Sequence, residues 1–369
     1  MQTKIITTKN DFSELKEAWE RLQEQDEDVT YYSTFEYNWT WWDVYKNDKN
    51  KELFIIVVEL KGVVIGIAPL IIEKVNKKIL SYRCIRFLGR GDYLGIIINR
   101  GSNIKYGTII KEIFNFIESK NKYFERMTLT HIKDNSRLSA YMLKNKEYNK
   151  NFNYLIECPI LKYKKFKNFD AYKNEFVSSN AKRYSNKLQR EIGYNFKVVS
   201  NHNEEVYKKI SQLHINEQNY LAKNRGREER RSLYNDKFYS EFVKRVYNNN
   251  SKVITFKIED GNSNILTYGT CYLYKGVLHM WNMAYDTKYE NYGLGKVINL
   301  EIQKYIFENN IADIFDFGAG RYPWKFEWTD DFIFDYQLDI WNEKTLKSKL
   351  LKKIYDIKKK IEFIRRKNG

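Results

Sequence analysis

The chain has 369 residues, 43% of them hydrophobic, which is enough for two domains that each bury a core. Its three cysteines are odd in number and widely spaced, which excludes a disulfide framework and a thiolate metal cluster. Of the net charge of +17, residues 344–369 carry +9, because they hold eleven Lys or Arg and two acidic residues. Residues 1–10 lack the apolar run of a secretory signal, so we expect the protein in the cytosol.

The predicted elements of the N-terminal half begin with helices. Apolar residues recur at helical spacing over 12–22, and aromatic residues crowd 37–45, where rings packed into a core are the simplest explanation. Two β-branched runs, 54–58 and 63–67, flank a short polar turn, which favours a buried hairpin over a membrane-spanning helix. The half closes with a strand at 85–88, a loop at 89–93, a strand that ends at Ile98, a helix at 104–117 and a strand at 127–131.

The C-terminal half repeats this order of elements. It holds a predicted hairpin at 253–258 and 265–274, a strand at 277–285, a helix at 293–307 and a closing strand at 311–317. The two hairpins start 199 residues apart and the two closing strands 184, which indicates two copies of one mixed α/β unit.

A helical insertion lies between the two copies. Apolar residues at helical spacing over 181–192, with Gly193 at the position of a C-terminal cap, predict its first helix, and a second is predicted at 204–221. We therefore predict the fold class α/β (α+β), with two mixed-sheet units in tandem. The predicted domains are 1–160 and 161–340, with the insertion at 168–231 and a basic amphipathic helix at 341–369.

Two segments are candidates for binding an anion. The first is the Gly-Leu-Gly turn at 293–295, because unpaired N–H groups and the helix dipole favour negative charge where a helix begins. A tight turn without a ligand explains this pattern equally well. The second is the Arg-rich stretch 223–231, although such a stretch is more often a solvated loop.

Several segments follow one another in an order that is informative as a whole. They are residues 35–42, 67–70, 87–89 with Asp92 and Tyr93, Asn180 with Arg183, 285–286, 292–295 and 315–325. In this order they resemble the BioF2-like and CelD-like acetyltransferase families of the GNAT superfamily, which are related in fold to the Fem peptidyltransferases. The resemblance extends to about residue 340 and implies two GNAT-like units in tandem.

The resemblance also implies a donor and a set of contacts. The donor is an acyl-CoA, with acetyl-CoA as the first expectation, and no metal is required. The residues expected to hold the donor are Tyr292, Gly293, Leu294, Gly295 and Lys296. Those expected to contact the acceptor are Asp92, Tyr93, Asn180, Arg183, Tyr322 and Lys325. One position departs from the superfamily pattern, because Glu290 stands where Gln or Arg normally begins the pyrophosphate loop.

Acylation of an amine needs a base that takes a proton from the nucleophile and a donor that stabilises the oxyanion. Three residues are candidates for the base. Asp316 ends the closing strand beside two glycines, His279 lies in an apolar strand, and Asp286 follows that strand. Each also has a purely structural explanation, as a turn former, a hydrogen-bonded core histidine and the first residue of a loop.

The last segment of the chain predicts an amphipathic helix. Apolar residues recur on one face of 346–364, with lysines on the other. Such a helix lies on an anionic membrane surface, binds tRNA phosphates or packs its apolar face on the protein, and all three interpretations stay open. Attachment to the inner face of the membrane would suit a lipid-linked saccharide acceptor.

The function expected from the resemblance is N-acyl transfer to an amine. An amino sugar in cell-surface polysaccharide biosynthesis, part of the cell envelope, is the expected acceptor, on family analogy alone. Two alternatives stay open. One is a Fem-like transfer of an amino acid from tRNA to a peptidoglycan precursor, which alone requires nucleic acid. The other is a non-catalytic carbohydrate-binding or scaffold protein, which Glu290 favours.

Overall fold

The computed structural model describes residues 1–369 except 78–79, 102, 201–203, 228–230, 249 and 368–369. The chain divides into two units. The first consists of Met1–Leu155 together with Phe334–Gly369, and the second is Ile156–Ile333. The boundaries expected from sequence, 160/161 and 340/341, lie a few residues after these, and the chain returns to the first unit at Phe334, before the expected amphipathic helix 341–369.

The helices of the described residues are α1 (Lys9–Glu14), α2 (Lys16–Gln25), α3 (Phe35–Tyr45), α4 (Tyr106–Ser119), α5 (Arg137–Lys144), α6 (Lys146–Asn149), α7 (Phe169–Glu175), α8 (Ser179–Glu191), α9 (Glu204–Asn224), α10 (Lys237–Tyr247), α11 (Leu294–Asn309) and α12 (Leu346–Lys367). The single helix predicted over 12–22 is two helices, because the Leu15 N–H turns back to the Phe12 carbonyl and ends α1. No helix in the described part of the chain is both long and apolar enough to cross a bilayer.

The strands are β1 (Gln2–Ile6), β2 (Lys51–Leu53), β3 (Ile55–Leu60), β4 (Val63–Ala68), β5 (Leu70–Lys77), β6 (Leu80–Phe87), β7 (Ile97–Ile98), β8 (Arg126–Lys133), β9 (Phe152–Lys162), β10 (Asn195–Ser200), β11 (Val253–Glu259), β12 (Ile265–Tyr274), β13 (Val277–Tyr285), β14 (Ile314–Asp316) and β15 (Phe332–Trp341). Both predicted hairpins are confirmed, since β3 pairs with β4 and β11 with β12 in antiparallel register. The closing strand predicted over 311–317 is shorter than expected.

Two groups of strands build the first unit. β1, β3, β4 and β7 are neighbours in one sheet, and β15, β8, β6, β5 and β2 are neighbours in another group. β6 and β8 run parallel over only two residue pairs, Cys84–Arg126 and Ile85–Met127. α4 contacts β3 and β4, and its buried face carries the apolar residues Ile109, Ile110, Ile113, Phe114 and Ile117. The predicted hairpin, now β3 and β4, is therefore part of the core of this unit and not a membrane-spanning helix.

Arg126 fastens the last strand and the last helix to the first unit. Its Nε donates to Asp339 Oδ1 at 2.7 Å, and its Nη2 donates to Asp339 Oδ2 at 2.5 Å. Nη2 also lies 3.3 Å from the Tyr355 hydroxyl of α12, and the guanidinium lies 5.0 Å from the centre of the Trp341 ring. Arg126 is 8% exposed, so water screens these contacts weakly.

Replacing Arg126 with alanine is expected to lower the free energy of unfolding by roughly 3 kcal/mol, because Asp339 then loses a bidentate partner in a largely buried site. Lys347→Ala is the matched control. Lys347 also pairs with an acidic side chain, Glu125 at 2.8 Å, but it is 60% exposed and should change stability by less than about 1 kcal/mol. Urea unfolding curves measure both, and equal effects would contradict this role of Arg126.

One run of strands builds the second unit, in the order β10, β11, β12, β13, β14 and β9. β13 and β14 run parallel, whereas the other neighbours are antiparallel. α11 connects the two parallel strands, as a parallel pair requires. α8 contacts α11, and α9 contacts β13. This arrangement places the beginning of α11 next to the end of β13 and beside α8.

A buried histidine lies on α9 in the second unit. His214 is 7% exposed, its Nδ1 lies 2.8 Å from Ser232 Oγ, and its ring meets the Tyr234 ring edge-on at 5.4 Å between centres. Burial lowers the pKa of His214 to about 4. The folded protein therefore keeps this imidazole neutral under conditions in which an unfolded chain would protonate it.

Acidification is expected to destabilise the protein through His214. The contribution of His214 to the free energy of unfolding is fully present above the unfolded pKa of about 6.5. It falls by roughly 3 kcal/mol as the pH drops towards the folded pKa, because the unfolded state then binds a proton that the folded state does not. Urea unfolding of the parent and of His214→Gln between pH 7 and 4 measures this. The variant should lack that part of the pH slope, and an unchanged slope would contradict the assignment.

Candidate active site

The parallel strands β13 and β14 separate at one point of the second unit. Their pairing covers three positions and ends where His279 lies opposite Asp316. β13 continues to Tyr285, whereas β14 stops at Asp316 and the chain enters the loop 317–322. Ligands of open α/β sheets bind where neighbouring strands end and their connections diverge, so this point is a candidate site.

His279 and Asp316 form a buried pair at this point. The Nδ1 atom of His279 lies 3.4 Å from Oδ1 of Asp316, and the two side chains are 7% and 3% exposed. The same Oδ1 accepts a hydrogen bond from the Gly318 N–H at 2.8 Å, which holds the carboxylate in place. A carboxylate beside Nδ1 orients an imidazole and leaves Nε2 as the atom that can take a proton.

Lys325 holds the loop that follows Asp316. It is 4% exposed, and its Nζ donates to the carbonyls of Gly318 at 2.7 Å and Ala319 at 3.1 Å. Its ammonium also lies 5.3 Å from the centre of the Tyr322 ring, and Tyr322 itself is 45% exposed. Lys325 was expected to contact the acceptor, but the structure places it under the loop, where it supports the backbone.

β13 carries a bulge beyond His279. Thr270 of β12 pairs with Asn282 and Cys271 pairs with Met280, so Trp281 is the extra residue. A bulge re-aims backbone and side-chain groups and is frequent beside active sites. The backbone around Trp281 is therefore the candidate for stabilising the oxygen of a reacting acyl group.

The glycine turn 293–295 begins α11. Gly293 has a φ of 58°, and a Cβ at this position would lie 2.5 Å from the Tyr184 ring of α8, so glycine is required there. Gly295 differs, because a Cβ there would meet only the Cε of Met283, at 3.8 Å. A Cβ is thus accommodated at Gly295 without a clash. The N–H groups of Leu294 and Gly295 are the first of this 16-residue helix and point out of its end.

Charged and aromatic side chains flank this helix start. Lys296 forms an ion pair with Glu327. Lys187 of α8 lies over the ring of Tyr292, 4.6 Å from its centre. The five residues expected to hold the donor therefore lie together around the beginning of α11, with lysines on both sides.

α8 carries the two insertion residues that were expected to contact the acceptor. Asn180 and Arg183 are both exposed. The guanidinium of Arg183 lies 5.4 Å from the centre of the Tyr184 ring, and that ring packs on Gly293. Arg183 therefore lies beside the glycine turn, where the donor was expected to bind. Tyr184 was missed from sequence because its helical spacing indicated only a core residue.

The carboxylate of Glu290 is not an isolated charge, because neighbouring side chains donate hydrogen bonds to it. Its carboxylate accepts hydrogen bonds from the Tyr220 hydroxyl, at 3.2 Å to each oxygen, and from Nη2 of Arg225 at 3.1 Å. Arg225 belongs to the Arg-rich stretch 223–231, of which 228–230 lie outside the described residues. The negative charge of Glu290, which departs from the superfamily pattern, is therefore offset by the positive charge of Arg225.

Asp286 lies apart from the His279–Asp316 pair. Its carboxylate accepts a hydrogen bond from the Lys288 N–H at 3.0 Å, and its own N–H donates to the Leu266 carbonyl at 2.7 Å. The extended strand between His279 and Asp286 spans about 20 Å. Asp286 caps a turn at the far end of β13, so the structure does not bring it together with the His279–Asp316 pair.

Asp92 and Tyr93 lie in the first unit. Tyr93 is 5% exposed, and its carbonyl accepts a hydrogen bond from the Thr30 hydroxyl at 3.2 Å. Asp92 is half-buried, and its negative charge favours the protonated form of His131. Burial of His131 has the larger effect, so the pKa of this histidine is lowered overall. His131 has a φ of 58°, which is uncommon outside glycine. No local pattern marked His131 in the sequence.

No group of three His, Cys, Asp or Glu side chains in the described residues is arranged to hold a metal ion. Among known protein families, the acetyltransferase (GNAT) domain matches residues 176–326 of this chain. This range includes the glycine turn, His279 and Asp316. No curated protein sequence matches the chain at a significant level.

Solved structures share the fold over most of the chain. FemX covers 92% of this chain and 98% of its own length, at 12% identity and a TM-score of 0.57. L-PGS from Bacillus licheniformis covers 91% and 94%, at 13% identity and a TM-score of 0.54. A conserved protein of unknown function from Bacteroides thetaiotaomicron covers 92% and 100%, at 9% identity and a TM-score of 0.52. These likenesses concern the fold alone, and the expected α/β (α+β) class with GNAT-like architecture is confirmed.

Proposed function

We infer that this acyltransferase, whose second unit contains a GNAT acetyltransferase domain, takes its acyl group from a CoA thioester and passes it to an amine. The observation that carries the proposal is the arrangement along β13. The His279–Asp316 pair lies near its start, and the turn 293–295 follows its end. A CoA thioester needs such a separation, because its pantetheine arm lies between the pyrophosphate and the reacting carbonyl.

The donor end of the proposed site is the beginning of α11. The N–H groups of Leu294 and Gly295 are the first of this helix, and at a helix start the dipole favours a phosphate. Arg183 adds positive charge nearby, Lys296 is paired with Glu327, and the Glu290 charge is offset by Arg225. This supports acyl-CoA, with acetyl-CoA as the simplest donor, despite the acidic residue in the loop.

The chemical step follows from the buried pair. The amine attacks the thioester carbonyl carbon, and Nε2 of His279 takes a proton from the nitrogen while Asp316 stabilises the imidazolium. Backbone groups at the Trp281 bulge stabilise the oxyanion of the tetrahedral intermediate. The C–S bond then breaks, the amide forms, and CoA leaves as a thiolate that takes up a proton.

For the acceptor we propose an amino sugar of cell-surface polysaccharide biosynthesis, in a lipid-linked form. The 45%-exposed ring of Tyr322 lies in the loop after Asp316 and offers a face on which a sugar ring can stack. Asn180, exposed on α8, is a further candidate contact. Asp92 and Tyr93 of the first unit keep their expected acceptor role as a separate proposal.

Release of free CoA tests this function. The purified chain is mixed with acetyl-CoA and glucosamine-type amines, and a thiol-reactive dye follows the liberated thiol. Thiol release that requires both the amine and the enzyme is the expected result. Transfer that proceeds only with aminoacyl-tRNA and a peptidoglycan precursor would replace the donor by the Fem-like alternative. No transfer with any donor, together with carbohydrate binding, would favour a non-catalytic protein.

A further inference from the structure

The C-terminal helix α12 packs on the first unit through one face only. Ser348 on this face donates its hydroxyl to the Glu125 carbonyl at 2.7 Å. Leu351 is 8% exposed, and the Tyr355 ring lies 5.6 Å from the Trp341 ring. With Arg126 bonded to Tyr355, this face is fixed to the unit, and the orientation of the helix about its axis is thereby set.

A second, apolar face of α12 points away from the protein. Its residues follow one another at intervals of four or three positions, which is the spacing of a continuous helical stripe. Their exposed fractions are 86% for Leu346, 61% for Leu350, 37% for Ile354, 59% for Ile357 and 44% for Ile361. We call these five residues the exposed stripe. Packing of the apolar residues on the protein, one of the interpretations from sequence, therefore does not account for them.

Lysines border the exposed stripe. At 100° per residue, Lys349, Lys353 and Lys360 lie along one edge of the stripe, and Lys347 and Lys358 lie along the other. The segment 346–361 contains seven lysines and a single acidic residue, Asp356. The face of α12 that is turned to solvent is thus apolar in the middle and positively charged at both edges.

These features select one kind of partner. A second copy of α12 would cover the apolar residues but would bring two lysine-bordered faces together, which like charges oppose. A nucleic acid would pair with the lysines but would leave the apolar stripe in water. A bilayer with anionic lipids satisfies both parts, because its acyl region accepts the apolar side chains while its headgroups attract the lysines.

We propose that the exposed stripe of α12 docks on an anionic lipid surface, with the helix lying in the plane of the interface. The exposed stripe, from Leu346 to Ile361, then presents about 24 Å of helix to the membrane. Binding of such a helix strengthens with the apolar area that it buries and with electrostatic attraction to anionic lipids, and this face of α12 offers both. The proposal concerns the surface alone and holds whichever donor the enzyme uses.

Vesicle co-sedimentation of the full chain tests the proposal. The probes are phosphatidylcholine vesicles and phosphatidylcholine vesicles with one-third phosphatidylglycerol. The full chain should sediment with the second kind and far less with the first. The double variant L350N/I357N and the triple variant K349Q/K353Q/K360Q should each weaken binding to the anionic vesicles at least tenfold. These side chains are exposed, so folding, checked by melting temperature, should be unchanged.

A matched control and three contrary outcomes complete the experiment. Leu143→Asn removes a leucine of 47% exposure from another helix of the same unit and should leave vesicle binding unchanged. Equal binding by the full chain and L350N/I357N would overturn the proposal. So would a lipid-free dimer that L350N/I357N dissociates, or tRNA binding that only the lysine variant loses while vesicles are ignored.

Discussion

His279→Gln is expected to lower kcat by roughly a hundredfold to ten-thousandfold, which is the usual contribution of a positioned general base. Glutamine keeps polar atoms in the buried site but cannot take a proton from the amine. The KM for acetyl-CoA should change little, because the proposed phosphate contacts lie at the other end of β13. Steady-state kinetics by thiol release measures both parameters.

Asp316→Asn separates orientation from proton transfer. Asparagine still offers an oxygen to the Gly318 N–H but removes the charge beside Nδ1 of His279. We expect a fall in kcat that is smaller than for His279→Gln, with an altered pH profile. His214→Gln is the control, since it changes another buried histidine of the same unit outside the site. Full activity of His279→Gln would refute the assignment of the base.

Gly295→Trp is expected to weaken acetyl-CoA binding at least a hundredfold while the melting temperature stays within a few degrees. A Cβ at Gly295 meets only Met283, at 3.8 Å, so the backbone accepts a side chain there, and an indole in the first turn of α11 would compete with the proposed phosphate contacts. Calorimetric titration with acetyl-CoA measures the loss. A non-catalytic protein without a donor site would show no binding before or after the substitution.

Two comparison variants make this result specific. Gly261→Trp places the same side chain in a turn of the second unit, where a Cβ would have no neighbouring atom within 4 Å. This variant should bind acetyl-CoA normally. Gly293→Ala should instead destabilise the fold, because its Cβ would collide with Tyr184 at 2.5 Å and because φ is positive. Tight binding by Gly295→Trp would place the donor elsewhere.

Patterns confined to neighbouring residues predicted much of the architecture. The two hairpins, the insertion helix α8 and the helix after the glycine turn all lie close to their expected positions, because periodicity and turn residues act locally. β9 and β15 were missed. Both are long strands without clear alternation, and their partners come from distant parts of the chain, so no local pattern marks them.

The candidate site shows the same division. Sequence alone identified the Gly-Leu-Gly turn and selected His279, Asp286 and Asp316 as competing bases, since residue type and position suffice for that. It could not say which of them lie together, because that depends on strand register. The parallel pairing of β13 with β14 brings His279 to Asp316, and the length of β13 removes Asp286 to the far end.

By itself the sequence determined the α/β class, the repeated order of elements, the acyltransferase resemblance and the amphipathic character of the C-terminal helix. Only the tertiary structure showed that Arg126 and Lys325 form buried hydrogen bonds within the protein, and which face of α12 is buried. Arg126 fixes one face of α12, so the apolar stripe is left on the outside. The reason is physical: a sequence pattern shows which residues share a face, whereas long-range packing determines what that face meets.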